Sequence, residues 1–239
     1  GTAPNTLPSP PAVLNAASYC EYRSDYLNEQ GYSAAAVGFF AALAGIGKLV
    51  INELDAYADH DTKAQLYEKL RAQQFPVPEA LTTNDPERAW EFMKSHSEVV
   101  VKPSVGVGST RLFTAHDRDR LDQFRICPIM IQERIRGDTL RINIVGDSVV
   151  LAIRIVGSGE PVDSRTAPRG FEFVKLPDEE EARIVRANRA LGLHYAAWDI
   201  IESRDGRYVY LDCNPGAYIL WTGSEFSRAV LEQLGEYMI

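Results

Sequence analysis

Residues 198–216 read WDIIESRDGRYVYLDCNPG, and their pattern predicts a β-hairpin. Apolar and polar residues alternate on both sides of Asp205-Gly206, which is the pattern of two antiparallel strands joined by a tight turn. If the turn has two residues, Asp199 lies opposite Asp212 and both carboxylates share one face. Asn214 adds a third oxygen to that face, because it follows Asp212 by one strand period.

Three oxygen donors without a neighbouring histidine or cysteine suit Mg²⁺, which takes its remaining ligands from water and substrate phosphates. The pattern therefore predicts a metal site at Asp199, Asp212 and Asn214. A solvated edge hairpin whose acids simply face water is the alternative that the spacing leaves open.

The overall charge limits the classes of partner. With 33 acidic and 25 basic residues, the chain has a formal net charge of -8 at pH 7, so neither nucleic acid nor an anionic membrane is expected as a partner. Three widely spaced cysteines predict neither a disulfide framework nor a zinc site, which fits a cytoplasmic location. The apolar stretch 34–46 is too short to span a bilayer, and we predict a buried helix there.

Helices and paired strands are predicted along the rest of the chain. Residues 15–52 predict a helix, an apolar helix and a short strand at 49–51. Further helices are predicted from Asp59 or Asp61 to Pro76, from Asp85 to Ser97, over 178–191 and from Ser224 onwards. Further strands are predicted over 98–102, 129–133, 140–145, 148–156, 195–202 and 207–212.

Two regions contain cations that could bind an anion. Lys102 ends an apolar strand and precedes a loop with Gly106, Gly108 and Ser109, whose backbone N–H groups could close over phosphate oxygens. An ordinary tight turn is the alternative for this loop.

The other region is the hairpin turned at Gly146-Asp147. Such a turn pairs Arg141 with Ala152 and places Arg154 diagonally on the same face, where an anion would fit between the two guanidinium groups. Two surface arginines on a polar sheet face are the alternative.

Taken in order, the elements resemble the ATP-grasp superfamily from about Asn52 to the C-terminus. DTKAQLYEKLRAQQFPVPEALTTNDPE at 61–87 is similar to the opening helix of that family, and VVVKPSVGVGST at 99–110 to its strand and covering glycine loop. QERIRGD at 132–138 is similar to its inter-lobe segment, and WDII and LDCNPG to its two metal-bearing strands. Asp212 is a departure, since many members have glutamate at that position.

The resemblance implies an α+β fold in which two lobes with antiparallel sheets enclose the nucleotide, preceded by a truncated N-terminal lobe. We expect a lead-in and partial N-terminal segment over 1–57 and an ATP-grasp domain over 58–239, with lobes at 58–130 and 131–239. The cofactors it implies are ATP and one or two Mg²⁺ ions, with Mn²⁺ as a substitute.

The resemblance also implies roles for single residues. Phosphate-binding and charge-spreading roles fall on Lys63, Lys102, Arg141 and Arg154, with Gly106, Gly108 and Ser109 in the covering loop. Contacts with adenine and ribose fall on Gln132, Glu133, the backbone at Ile135, and Asp138.

Finer motifs, namely VIN at 50–52, TTNDP at 82–86 and VDSR at 162–165, resemble the graspetide ligases, the microviridin-type peptide macrocyclases. In that case Arg165 helps to hold the acyl phosphate or the acceptor and Asp163 orients it; a salt-bridged loop pair is the alternative.

The function expected is an ADP-forming ligase that activates a carboxylate and joins it to an amine or hydroxyl, with a precursor peptide as a candidate substrate. An amino-acid ligase acting on a small molecule or a protein tail, similar to the ribosomal-protein glutamate ligases, is the second hypothesis. A degenerate nucleotide-binding scaffold is the third. A homodimer stays open.

Overall fold

The computed structural model describes residues 16–53, 56, 62–104, 110–119, 121–157, 168–217 and 219–239. The chain divides into two compact units, residues 1–50 and 51–239. The described part of the first unit contains one long helix, α1 (Ala16–Gly45). Among the described helices, none combines the length and the apolar character that crossing a membrane would require.

The prediction of a buried helix at 34–46 is wrong in two respects. The stretch is the second half of α1 rather than a separate helix. Its large apolar side chains are exposed, namely Val37, Phe39, Phe40 and Ile46. The described part of this unit contains no second element against which they could pack. Residues 49–51 form no strand, since no partner strand pairs with them among the described residues.

The second unit begins with a helix and a small sheet. Its elements are α2 (Lys63–Ala72), β1 (Ala80–Thr83), α3 (Pro86–Ser95), β2 (Val99–Pro103), β3 (Arg111–Leu112), α4 (Ala115–Arg118), a 3-10 turn (Leu121–Arg125) and β4 (Ile129–Glu133). The four strands are all antiparallel, in the order β1-β4-β2-β3. β2, β4 and α3 confirm the predictions, while β1 and β3 were not predicted.

A second, larger sheet follows. Its elements are β5 (Gly137–Val145), β6 (Ser148–Gly157), β7 (Pro168–Phe173), α5 (Asp178–Ala190), β8 (Tyr195–Ser203), β9 (Tyr208–Asn214), a 3-10 turn (Ile219–Thr222) and α6 (Ser224–Tyr237). The five strands are antiparallel, in the order β7-β6-β5-β8-β9. Both predicted hairpins and both predicted helices are present, and β7 was missed.

Capping and burial explain the helices that flank the small sheet. The Oδ1 of Asp85 accepts a hydrogen bond of 2.9 Å from the Glu87 backbone N–H, so α3 begins at Pro86 as predicted. α3 buries Ala89 and Met93 against the apolar residues of β2 and β4. The helix α2 begins later than predicted, with Thr62 at its N-cap rather than Asp59 or Asp61.

The main core lies between α2, α5 and the five-stranded sheet. Leu66 and Leu70 of α2 pack in one cluster with Ile142 of β5, Trp198 of β8 and Ile184 of α5, all fully buried. Packing α2 on this sheet places the first turn of the helix beside the end of β9. The basic residue in that turn is therefore close to the predicted metal hairpin.

Candidate active site

The β8–β9 hairpin pairs Asp199 with Asp212, as the spacing predicts. The predicted two-residue turn is wrong, however, because Ser203 and Arg207 already pair across a three-residue loop. Leu211 has no opposite residue on β8, and this bulge shifts the register back by one position. The two differences compensate, so the carboxylates face each other after all.

Each of the two opposed carboxylates is paired with a buried cation. The Nζ of Lys63 lies 2.5 Å from Asp212 Oδ2, and the Nη1 of Arg141 lies 2.8 Å from Asp199 Oδ1. The lysine and arginine side chains are 7% and 9% exposed, whereas both acids are 23% exposed. The two cations therefore lie on the buried side of the acids, and the carboxylates remain partly exposed to solvent.

Electrostatics keep Arg141 charged in this cluster. Burial acts to lower the pKa of Arg141, but the Asp199 carboxylate and its hydrogen bond outweigh it, and the pKa is raised. Two like charges on directly opposed β-residues would repel, and the two cations offset that repulsion. The arrangement fits a site that binds charged groups at the solvent-facing side of the acids.

The donor set at the hairpin end fits a hard divalent cation. Asn214 lies opposite Ala197, and its Oδ1 accepts a 3.0 Å hydrogen bond from the Gly216 backbone N–H. Within the described part of the chain, no group of three or more His, Cys, Asp or Glu residues could hold a metal. A metal here would therefore rely on two carboxylates, an amide oxygen and ligands from water or substrate, which is usual for Mg²⁺.

The face of α2 that meets the sheet carries Lys63, Leu66, Tyr67 and Leu70, all buried. Their spacing of i, i+3, i+4 and i+7 is that of a single helical stripe. The Tyr67 hydroxyl lies 2.9 Å from Gln132 Oε1 and 2.9 Å from the Leu211 carbonyl oxygen. Burial and the Asp212 carboxylate raise its pKa well above the usual value, so the phenol keeps its proton.

Lys102 of β2 reaches the same phenol. Its Nζ lies 3.4 Å from the Tyr67 hydroxyl oxygen and 5.8 Å from the centre of the ring. Lys63 contacts Asp212 of β9. Lys102 contacts Tyr67, whose hydroxyl also contacts the Leu211 carbonyl oxygen of β9. Both predicted phosphate ligands therefore lie near this strand. Tyr67 was missed in the sequence, although its place four residues after Lys63 on the apolar stripe marks it.

The prediction that Arg141 and Arg154 share a face is wrong. The Gly146-Asp147 turn forms as expected, but a bulge between Asn143 and Ile144 shifts the register, so Arg154 lies opposite Leu140 rather than diagonal to Arg141. Arg154 therefore lies on the other face of the sheet. The structure does not bring it to the Asp199 and Asp212 cluster.

Arg154 instead contacts a group of acids. Its Nε lies 2.8 Å from Asp138 Oδ2, and its Nη2 lies 3.0 Å from Glu202 Oε2. The Oε2 of a third acid, Glu172, lies 4.0 Å from the Nη1 of Arg154. Asp138, predicted to contact ribose, is thus an ion-pair partner of Arg154.

The end of β4 and the segment that follows it contain the remaining predicted nucleotide contacts. Gln132 is buried, and Glu133 Oε1 accepts a 2.9 Å hydrogen bond from the Glu79 backbone N–H. Ile135 is half-buried between β4 and β5. Gly106, Gly108 and Ser109, together with Asp163 and Arg165, lie outside the described residues.

Asn52 was singled out in the sequence only as part of the VIN motif, yet its buried side chain makes four hydrogen bonds beside the candidate metal hairpin. Its Oδ1 accepts from the backbone N–H groups of His194 (2.7 Å) and Tyr195 (2.9 Å). Its Nδ2 donates to the carbonyl oxygens of Tyr195 (2.6 Å) and Pro215 (2.7 Å). The start of β8 is thereby joined to the residue that follows Asn214.

Comparisons with known proteins agree with this geometry. A family model for the ATP-grasp domain matches residues 60–156. The tetrahydromethanopterin:alpha-L-glutamate ligase of Methanocaldococcus jannaschii is 27% identical over 207 residues, which cover 79% of this chain and 71% of that protein. A probable alpha-L-glutamate ligase of Picosynechococcus sp. is 31% identical over 113 residues, covering 44% of this chain and 38% of its own.

Solved structures extend the likeness to nearly the whole chain. ATP-grasp ligase PsnB, complexed with minimal precursor, Mg and ADP, is 29% identical with a TM-score of 0.75, covering 95% of this chain and 74% of that one. Macrocyclase MdnC from Microcystis aeruginosa MRC, bound with precursor peptide MdnA, shares the fold at 23% identity and a TM-score of 0.70, covering 88% of this chain and 72% of that one.

The two antiparallel sheets, the match of the ATP-grasp domain model to residues 60–156 and the similarity to solved ATP-grasp ligases show that this chain has the ATP-grasp fold. More particularly, it is an ADP-forming ligase, homologous to alpha-L-glutamate ligases and close in structure to PsnB. The α+β fold class expected from the sequence is confirmed.

Proposed function

We propose that this chain is a peptide-modifying ligase that uses Mg-ATP to activate a side-chain carboxylate of a precursor peptide and joins it to a hydroxyl or amine. The observation that supports the ATP chemistry is the facing pair Asp199 and Asp212, each held by a buried cation. The peptide substrate is supported by the likeness to PsnB, which was solved with a precursor and ADP.

In the proposed site Asp199, Asp212 and Asn214 hold the metal. When bound, Mg²⁺ neutralises charge on the β- and γ-phosphates. Lys63 and Lys102 supply further positive charge beside them, and Arg141 orients the Asp199 carboxylate through their ion pair. Because the lysines and the arginine lie on rigid helix and strand backbone, little reorganisation is needed as charge develops.

The reaction proceeds in two substitutions. A carboxylate oxygen of the substrate attacks the γ-phosphorus, the bond from that phosphorus to the bridging oxygen breaks, and ADP leaves. The hydroxyl or amine then attacks the acyl carbon, the carbon–oxygen bond to phosphate breaks, and inorganic phosphate leaves with the proton of the nucleophile passing to solvent. No protein nucleophile is consumed, so the site needs positioning and charge rather than a Ser or Cys side chain.

A second function has an observation of its own in its favour. The glutamate ligase of M. jannaschii matches across 79% of this chain, so addition of free glutamate to a small molecule is the alternative. Both reactions release ADP, but they change the mass of the acceptor in opposite directions.

Mass spectrometry of the product separates the two functions. The purified chain would be incubated with Mg-ATP and a Thr- and Glu-rich precursor peptide encoded beside its gene, and in parallel with glutamate and a pterin acceptor. The proposal predicts ADP release with the loss of one water per linkage from the peptide. ADP release that depends on glutamate, with gain of a glutamyl residue, would contradict it. The Asp212→Asn variant controls for contaminating ATPase.

Three smaller properties are also proposed. Mn²⁺ should replace Mg²⁺, because it accepts the same oxygen ligands. A cytoplasmic location is supported by the exposed free thiol of Cys127. A homodimer is the assembly we propose, and light scattering of the purified chain would test it.

A further inference from the structure

Tyr67 is a buried phenol at which two parts of the candidate site meet. It is 1% exposed and is supplied by the same face of α2 as Lys63. The hydroxyl oxygen has the Gln132 amide oxygen of β4 and the Leu211 carbonyl of β9 at 2.9 Å each. The Lys102 ammonium of β2 approaches the same oxygen at 3.4 Å and the ring at 5.8 Å.

The chemistry of a phenol explains this convergence. A phenol has one proton to donate and lone pairs that accept, so it can donate to a carbonyl-type oxygen while it accepts from an ammonium. The ring face also attracts a cation within about 6 Å. Tyr67 therefore interacts with Lys102 through both its hydroxyl oxygen and the face of its ring.

The bulge in β9 provides the carbonyl oxygen that the Tyr67 hydroxyl contacts. Leu211 has no opposite residue on β8, and its carbonyl is the one that meets the Tyr67 hydroxyl. The next residue is Asp212, which pairs with Lys63. One side chain thus touches the lysine of the small sheet and the backbone beside the acid of the large sheet.

We infer that Tyr67 is a positioning residue that holds Lys102 toward the triphosphate and fixes its distance from the Asp212 strand. This role rests on the proposed function of Lys102 as a phosphate ligand. Tyr67 itself contacts no phosphate in this scheme, and acts through the lysine.

A double-mutant cycle on Mg-ATP affinity tests the inference without any acceptor substrate. The four proteins are the wild type, Tyr67→Phe, Lys102→Gln and the double variant, titrated by calorimetry with Mg-ATP. Phenylalanine keeps the ring in the core and removes only the oxygen. We expect Tyr67→Phe to weaken binding roughly fivefold in the wild-type background, the usual effect of one hydrogen bond. In the Lys102→Gln background the same change should have almost no effect, because the lysine it positions is gone.

A matched buried tyrosine separates positioning from stability. Tyr210 is fully buried and donates a 2.7 Å hydrogen bond to Glu180, on the face of the sheet that packs against α5. Tyr210→Phe should lower the melting temperature and leave Mg-ATP affinity within twofold of the wild type.

The outcomes are distinct. Equal loss of affinity from Tyr67→Phe in both backgrounds, or no loss in either, would overturn the positioning role while the proposed function stands. A folded wild type that does not bind Mg-ATP would overturn the proposed function and the inference with it.

Discussion

The side chain of Asn52 joins the two ends of the β8–β9 hairpin through hydrogen bonds. All four hydrogen-bonding positions of the amide are used, two by backbone N–H groups at 194 and 195 and two by backbone carbonyls at 195 and 215. The side chain is 1% exposed, so water cannot replace it. Asn52 therefore connects the start of β8 to the residue that follows β9, although it lies far from both in sequence.

Asn52→Ala should destabilise the second unit by about 3 kcal/mol, because several buried backbone groups lose their partners at once. The free energy of unfolding would be measured by urea denaturation of the purified variant and the wild type. Asn84→Ala is the matched control, because Asn84 is exposed, and it should change the free energy by less than about 0.5 kcal/mol. Equal effects of the two substitutions would show that the Asn52 network does not stabilise the fold.

At the scale of elements, alternation and capping predicted most helices and strands, and the bulges explain the main errors. α3 follows from Asp85 and Pro86, and β8 and β9 follow from their alternating residues. A bulge adds one unpaired residue without changing the local pattern, so the sequence does not reveal it. The bulge between β5 and β6 places Arg154 on the face opposite to the predicted one. The bulge at Leu211 compensates for the wrongly predicted length of the turn.

The candidate site was predictable in part for the same reason. Asp199 and Asp212 lie on one hairpin, and counting outward from the turn paired them correctly because the bulge at Leu211 compensates for the third residue of the loop. The ion pair of Lys63 with Asp212 and the contact of Tyr67 with Leu211 join residues 149 and 144 positions apart, and tertiary packing alone determines them. Short strands such as β3 lack the length that a periodic pattern needs.

Gly137 sets the close approach of β5 to β8 at the junction between the two sheets. Its φ is 156°, and a Cβ there would overlap the backbone carbonyl of Glu202 and lie 2.8 Å from Ile201 Cγ2. Gly137→Ala should therefore lower the free energy of unfolding by at least about 2 kcal/mol, because backbone rather than a flexible side chain must move. Thermal and urea unfolding would measure the loss.

Gly170→Ala provides the comparison within the same sheet. Gly170 lies in β7, and a Cβ there meets no atom within 4 Å. We expect this variant to be as stable as the wild type or slightly more so, since alanine restricts the unfolded chain. Similar losses from both variants would contradict the close approach at Gly137.

In the second unit as a whole, five separate segments contribute charged groups to one region. Lys63 comes from α2, Lys102 from β2, Arg141 from β5, Asp199 from β8 and Asp212 from β9. Four of these elements belong to the large sheet or pack on it, and β2 belongs to the small one. A ligand that contacts all of them would be bound only by the folded chain, so it should raise the apparent stability, by about 2.7 kcal/mol at a hundredfold excess over its dissociation constant.

Calorimetric titration of Mg-ATP into the wild-type chain, with and without magnesium, beside two variants, tests whether the β8–β9 hairpin forms a nucleotide–metal site. Asp212→Asn removes one candidate metal ligand, and Asp205→Asn removes an exposed acid at the turn of the same hairpin. We predict magnesium-dependent binding that Asp212→Asn weakens at least about tenfold, as the loss of a charged ligand to a divalent ion should. Asp205→Asn should bind like the wild type. Binding that is independent of magnesium, or equal in all three proteins, would contradict a nucleotide–metal site at the β8–β9 hairpin.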